Sequence, residues 1–322
     1  MNFEIKNHIY FGTYKLTNEE TLLKLLEHAY KYGYTKIDTA TLYKNQHIIG
    51  HFLNTPDTKD NTKDNTKDNT KDNTKDNTKD NTKDNTKDNT KDNTKDNTIT
   101  TNITTDTQLD LQHYLTKRES LWITSKVSFR VMPKGESEIR KSIDKTLSDL
   151  QTHYIDLMIL HSPEKNDILT WKILCDYKEK GLIRNIGLSN YNLEKLKEFI
   201  KQIDNPEAIY CNQIEFNPFL NRKDLIDYCK TLNIKVVTYG NLYYTNYIID
   251  AIADKMNKTK EQLCARFALQ KGLDIILMAD EEKYIKMNME LDFTISEEDM
   301  NEIDAISSYE IDSSKSKYKR FL

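Results

Sequence analysis

Glycine is scarce in this 322-residue chain, with 8 in all, and no Gly-x-Gly-x-x-Gly turn occurs anywhere. That argues against the glycine-rich phosphate cradles of doubly wound nucleotide-binding sheets, where the backbone must approach phosphate without an intervening Cβ. Cysteine is sparser still. Cys175, Cys211, Cys229 and Cys264 are widely spaced with no Cys-x-x-Cys pair, so neither a zinc knuckle nor a disulfide framework is indicated, and the four read as reduced core residues. No apolar run approaches the roughly 18 residues that span a bilayer. The start, Met-Asn-Phe-Glu-Ile-Lys, lacks the basic-then-apolar pattern of a leader. No membrane association and a cytoplasmic location are the expectations. An excess of one charge is also missing: 47 Lys and Arg stand against 51 Asp and Glu, a net charge of -4. No broad affinity for nucleic acid or anionic lipid follows. The one basic cluster, Lys315 to Arg320, reads as a solvated tail.

What the chain does have is a repeat. From Thr58 to Asn97 the tetrapeptide Thr-Lys-Asp-Asn recurs ten times over 40 residues. No unit contains an apolar residue that could offset the entropy of ordering it, and a solenoid needs such positions in every repeat. Residues 54–117 are therefore expected to form one long disordered insertion. Closing a long loop costs free energy only logarithmically in its length, so one folded domain, spanning 1–322, can carry it. The 282 residues outside the repeat suit a single α/β barrel, typically about 250 residues. An interaction role for the insertion is the minor alternative on composition of this kind.

Around the insertion, apolar strand-like runs alternate with helix-like runs. Ile9–Gly12 precedes a helix whose Thr17-x-x-Glu20 spacing suggests a capping box. Tyr34–Asp38 is a second strand and Tyr43–Leu53 its helix. After the insertion come strands at Leu121–Val127, Tyr154–Leu160, Ile183–Ser189, Ile209–Phe216, Lys235–Tyr239 and Leu273–Met278, each followed by helical periodicity. Eight buried-looking strands, each with a helix behind it, predict a closed (β/α)8 barrel.

In such a barrel the chemistry sits at the carboxyl ends of the strands. The expected elements put Asp38 at the end of strand two, Tyr43 just beyond it, Lys126 at the end of strand three and His161 after strand four. A tyrosine of pKa about 10 is a poor acid at neutral pH, but an adjacent ammonium favours the phenolate. A drop of about three units is worth roughly 4 kcal/mol. Asp38 would keep Lys126 charged and oriented, and His161 could hydrogen-bond the reacting oxygen. The set suits proton delivery to an oxygen that gains negative charge, as when hydride reaches a carbonyl carbon. His47 and His51 lie four apart on a predicted helix, but no third ligand accompanies them, so no metal site is expected. Trp122 and Trp171 read as packing residues.

Several runs carry a family likeness: Asp38-Thr39-Ala40 with Tyr43 and Asn45; Ile123-Thr124-Ser125-Lys126; Tyr154-Ile155-Asp156-Leu157 through His161-Ser162-Pro163; Gly181-Leu182-Ile183-Arg184 with Ile186 to Asn190; and Asn212-Gln213-Ile214-Glu215 with Pro218. Over nearly all its length outside the insertion the chain resembles the aldo-keto reductases. The resemblance implies an eight-stranded barrel, NADPH-dependent reduction of a small-molecule aldehyde or ketone, and Asp38, Tyr43, Lys126 and His161 as catalytic residues. It assigns Ser189, Asn190 and Gln213 to the nicotinamide carboxamide, Tyr239 to the nicotinamide face and Asn288 to the adenine end. A monomer is expected. Departures fall after strand eight, where Met278 and Tyr284 stand in place of the family's usual Lys and Arg at the ribose 2'-phosphate, followed by acidic Asp280, Glu281 and Glu282. Lost charge-assisted contacts of about 1.5–3 kcal/mol each make NADH the alternative cofactor, with Asp280 placed to accept from a free 2'-hydroxyl. On the substrate side Ser162 and Ser128 or Phe129 replace tryptophans usual in the family. A catalytically weak binding or regulatory protein on the same barrel is the alternative function.

Overall fold

In the computed structural model the alternating runs become eight parallel strands hydrogen-bonded in sequential order, with β1 closing against β8. The structure describes residues 3–55, 118–240 and 246–309. The expectation of disorder for 54–117 falls outside these residues except at Asn54 and Thr55. The loop residues 241–244 and the basic cluster at 315–320 also lie outside.

After a short helix α1 (Phe3–Lys6) come β1 (Ile9–Gly12), α2 (Glu19–Lys31), β2 (Lys36–Asp38), a 3-10 turn (Thr41–Tyr43) and α3 (Gln46–Asn54). Beyond the insertion follow β3 (Trp122–Val127), α4 (Glu136–Asp149), β4 (Ile155–Leu160), α5 (Asp167–Glu179), β5 (Ile183–Ser189) and α6 (Leu193–Ile200). The barrel is completed by β6 (Ile209–Glu215), α7 (Lys223–Thr231), β7 (Lys235–Tyr239), α8 (Tyr247–Lys255), α9 (Lys260–Gln270), β8 (Asp274–Leu277), α10 (Glu282–Met287) and α11 (Glu297–Tyr309).

Strands covered on both faces need apolar residues at every position, and all six residues of β4 are buried. Their alternation divides two cores. Tyr10, Leu157, Ile159, Cys211 and Val237 fill the barrel interior, while Ile123, Ile155, Met158 and Leu160 pack outward with the helices.

Local chemistry moved some expected boundaries. Asn18, not Thr17, caps α2, its side chain accepting from the Thr21 N–H at 2.9 Å. Tyr34 lies outside β2 because its N–H closes the end of α2 on the Ala29 carbonyl (3.0 Å), with Gly33 in the left-handed region at φ 91°. Tyr43 lies outside α3 because Lys44, at φ 58°, breaks the helix there. Asn54 ends α3 rather than starting the insertion, its side chain donating to the Gly50 carbonyl at 2.8 Å.

Each helix runs back from the carboxyl ends of the strands, so α3 ends and β3 begins at the opposite, amino-terminal face. The chain leaves and re-enters the described fold there. Arg118, 3% exposed, fixes the re-entry by donating to Thr152 Oγ1, the Leu121 and Tyr154 carbonyls and Asp156 Oδ2, all at 2.8–2.9 Å. On the exit side, α3 lies so close to the end of α4 that a Cβ on Gly50 would stand 2.3 Å from the Asp149 carbonyl oxygen. Backbone cannot yield as a flexible side chain does. Gly50→Ala should therefore lose about 1–3 kcal/mol despite the better helix propensity of alanine, read as a lowered urea midpoint at unchanged m-value.

Candidate active site

The site is built around Lys126, the fifth residue of β3, which points into the barrel at 1% exposure. Its ammonium donates to Asp38 Oδ1 at 2.5 Å, to the Thr39 carbonyl at 2.9 Å and to the Tyr43 hydroxyl at 3.4 Å. Burial lowers the Lys126 pKa, and the charge and hydrogen bond of Asp38 oppose that shift. Asp38 is held in turn by Gln213 of β6, whose amide donates to Oδ2 at 2.8 Å. Three strands thus converge on one ion pair.

Tyr43 owes its position to the turn that follows β2. Ala40 is extended, the Tyr43 N–H returns to the Ala40 carbonyl at 2.9 Å, and Asn45 holds the loop from beneath. Fully buried Asn45 accepts from Thr39 Oγ1 (2.9 Å) and donates to the Thr13 and Leu16 carbonyls (2.8 and 3.0 Å). Below it Gln46 donates to Ser125 Oγ at 2.6 Å. The Asn45 clamp carried a sequence signal in its family run, whereas the Thr39 carbonyl, being backbone, carried none.

His161 follows β4, with its ring centroid 6.1 Å from that of Tyr43. Burial, helped by the Lys126 charge, lowers its pKa to about 3, so the imidazole is neutral near pH 7. Nδ1 is sealed without a partner, yet the residue is only partly buried, which leaves the Nε2 edge toward the mouth. An unpaired buried acceptor is less costly than an orphaned N–H. The tautomer assigned on that ground carries its proton on Nε2 and can donate to a bound oxygen. Tyr14 and Phe129 flank the pair, their rings 5.1 Å from Tyr43 and 6.0 Å from His161. Sequence reasoning missed Tyr14.

A belt of amides continues from His161 across β5, β6 and β7. Asn190, at φ 63°, donates to the His161 carbonyl (2.9 Å) and to Ser189 Oγ (3.1 Å), and Ser189 Oγ donates to the Gln213 carbonyl at 2.9 Å. The Tyr239 hydroxyl donates to Asn190 Oδ1 at 2.5 Å. Ser189, Asn190, Gln213 and Tyr239 are therefore brought together beside Asp38 and His161. Asp280 and Asn288 stand apart, after β8. Asp280 is exposed, and Asn288 is 5% exposed, near the Tyr34 hydroxyl that donates to the Ile285 carbonyl at 3.4 Å. Met278 and Tyr284 are 41% and 38% exposed. Among the described residues no cluster of His, Cys, Asp or Glu could hold a metal ion, and His51 instead faces Glu19 at 3.3 Å.

A closed (β/α)8 barrel with its titratable groups gathered at the carboxyl ends of the strands has the layout of a barrel enzyme. The chain belongs to the aldo/keto reductase family, whose sequence profile matches residues 8–102 and 107–244. It is 28% identical over 305 residues to the glyoxal reductase of Bacillus subtilis, covering 93% of this chain and 88% of that one. An uncharacterized oxidoreductase of Schizosaccharomyces pombe is 36% identical over 194 residues, 58% of this chain and 69% of that protein. Among solved structures, the aldose reductase of Schistosoma japonicum superposes with a TM-score of 0.70 at 20% identity, covering 97% of this chain and 91% of the other. An aldo-keto reductase from a deep-sea metagenome library gives 0.69 at 22% identity, with 94% and 91% covered. Family membership makes the chain an oxidoreductase of the carbonyl/alcohol class, a class that acts on small molecules and generally uses nicotinamide cofactors. No helix among the described residues is long and apolar enough to cross a membrane.

Two outcomes follow from the geometry. Lys126→Met leaves the Asp38 carboxylate buried without its cation and should cost about 3–5 kcal/mol in chemical denaturation; adding Asp38→Asn to the same chain should restore much of it. For His161 the folded pKa of about 3 lies below the ordinary 6.5, so as pH falls the unfolded chain takes up the proton first. Stability should decline from pH 6.5 toward 3, more steeply in the parent than in His161→Gln, as followed by urea midpoints across that window.

Proposed function

We propose that this protein reduces the carbonyl of an aldehyde or ketone to the alcohol with a nicotinamide cofactor, Tyr43 acting as general acid. The observation that carries the reading is the buried Lys126 ammonium, shared between Asp38 at 2.5 Å and the Tyr43 hydroxyl at 3.4 Å. Burying such a pair is costly, and hydrophobic residues of similar volume would fill the space at no loss of stability.

The carbonyl oxygen is positioned by the neutral His161 Nε2–H and by the Tyr43 hydroxyl, two donors that match charge developing on oxygen. As that charge grows, Tyr43 releases its proton to the oxygen, and the Lys126 ammonium stabilises the phenolate left behind. Asp38 and the Thr39 carbonyl keep the ammonium in place, and solvent returns the proton to Tyr43. The hydride that the carbonyl carbon accepts would be the contribution of a reduced nicotinamide when bound at this mouth. The residues that would hold its amide end are Ser189, Asn190 and Gln213 on neighbouring strands, whose side chains would exchange some of their present hydrogen bonds for it, with the half-buried Tyr239 ring beside them.

The other end fits a phosphate less well. Met278 and Tyr284 present exposed apolar surface and Asp280 adds a negative charge, while Glu281 is paired with Lys283 at 2.8 Å and Glu282 accepts from the Tyr32 hydroxyl at 2.9 Å. NADH is therefore the favoured cofactor, with Asp280 accepting from the free ribose 2'-hydroxyl. The same substitutions favour a second reading, a binding or regulatory protein with little turnover.

Titration of the protein with NADH and NADPH by fluorescence, followed by absorbance assays on a carbonyl panel, separates these readings. NADH should bind at least as tightly as NADPH, and turnover should fall by at least about 10²-fold in Tyr43→Phe, in the range of a lost general acid. Undiminished turnover in that variant would remove Tyr43 from its role, and binding of neither nucleotide would favour the second reading.

A further inference from the structure

Resting on that reading, we infer that the carbonyl compound this site accepts is anionic, its negative group, a carboxylate in the simplest case, held at the rim of the mouth away from the reacting carbon. The loops after β1 to β4 form the half of the mouth around Tyr43 and His161. Within residues 13–18, 39–45, 128–135 and 161–166, outside the buried tetrad, the charged side chains are Lys15, Lys44, Arg130, Lys134 and Lys165 against Glu164 alone. That excess of cations belongs to a chain whose net charge is -4. Opposite it, the loop after β8 carries Asp280 and Glu281, the latter paired with Lys283 at 2.8 Å. The Tyr43 side of the mouth is therefore its positive side.

Three of the cations adjoin the reacting groups. Lys44 follows Tyr43 in the chain, at φ 58°. Lys15 Nζ lies 5.5 Å from the centroid of the Tyr14 ring, which itself lies 5.1 Å from the Tyr43 ring. The Arg130 guanidinium lies 5.8 Å from the Phe129 ring, which lies 6.0 Å from the His161 ring. Tyr14 and Phe129 thus form aromatic walls on either side of the Tyr43–His161 pair, and each has a cation alongside. All three cations are exposed, and among the described residues none of them is in an ion pair.

A neutral substrate leaves these three charges unused. A substrate with its carbonyl oxygen at Tyr43 and His161, its body between Tyr14 and Phe129 and a carboxylate beyond them meets Arg130, suited to bidentate contact, and Lys15. Together these solvent-exposed contacts should give about a tenfold preference, equivalent to about 1.4 kcal/mol. The Lys126 charge cannot substitute, being committed to Asp38 in the interior.

The test compares 4-carboxybenzaldehyde with its methyl ester, which share ring and reacting carbonyl, using the full chain and the cofactor it binds. At low ionic strength kcat/KM for the acid should exceed that for the ester by about tenfold, and the ratio should shrink severalfold in about 0.5 M salt. In Lys15→Ala/Arg130→Ala the ratio should approach one, whereas Lys24→Ala, removing a cation paired with Glu20 on α2, should keep it. Because the ratio is taken within one protein, a general loss of activity does not move it. Equal use of acid and ester by the parent, or a ratio retained in the double variant, overturns the inference and leaves carbonyl reduction standing. Turnover of neither, with no nucleotide binding, overturns both.

Discussion

The Lys126–Asp38 ion pair is the constraint on which the rest of the site depends. Both side chains are almost fully buried, and a charge taken from water is tolerable only when its partners are complete. Asp38 has the ammonium on one oxygen and the Gln213 amide on the other; Lys126 has Asp38, the Thr39 carbonyl and the Tyr43 hydroxyl. Satisfying the pair therefore fixes the end of β2, the turn after it and the end of β6 at once. Tyr43 is placed as a consequence, being the one member of the set that is still partly open.

The same barrel ends very differently below. At the amino-terminal face Asp274 accepts from Tyr10 at 3.4 Å and faces His8 at 2.6 Å and Lys36 at 3.7 Å, while Lys36 lies over the Tyr10 ring at 4.6 Å. Trp122 and Tyr210 close that end, 5.4 Å apart. Burial raises the Tyr10 pKa, with the Asp274 charge adding to it, so this tyrosine is a poorer acid than a free one. Both tyrosines have a lysine ammonium 3.4 Å from the hydroxyl, Lys126 for Tyr43 and Lys36 for Tyr10, but at Tyr10 burial and the Asp274 charge outweigh it. On this face Arg118 fixes the start of the chain leading into β3 with hydrogen bonds to β4 and its approach.

Much of this was legible in the sequence because barrel strands have a fixed sense. Once eight strands are recognised, residues at their carboxyl ends must share a mouth, and Asp38, Lys126 and His161 could be placed there without coordinates. The boundaries were less legible where a single local hydrogen bond decides them, as with Asn18 against Thr17 or Tyr34 closing on Ala29. Partnerships across the barrel were the least legible. Gln213, which the resemblance assigned to a carboxamide, donates its own amide to Asp38, and Asn190 has both ends of its side chain engaged. Those contacts join residues that are far apart in sequence, and no spacing reports them.

The chain's departures from its family therefore do not touch the ion pair, and there is a physical reason for the division. Altering Lys126, Asp38 or Gln213 leaves a buried charge or donor unsatisfied, which the fold itself resists whatever the reaction. Met278, Lys15 and Arg130 lie in solvent-facing loops and Tyr284 is exposed on α10, positions where a change of charge costs the fold little and is felt mainly by whatever binds. The interior of the mouth is constrained by folding and ligand together, its rim by the ligand alone. A rim positive beside Tyr43 is then better evidence about the ligand's charge than the buried ion pair is, because nothing in the packing requires it.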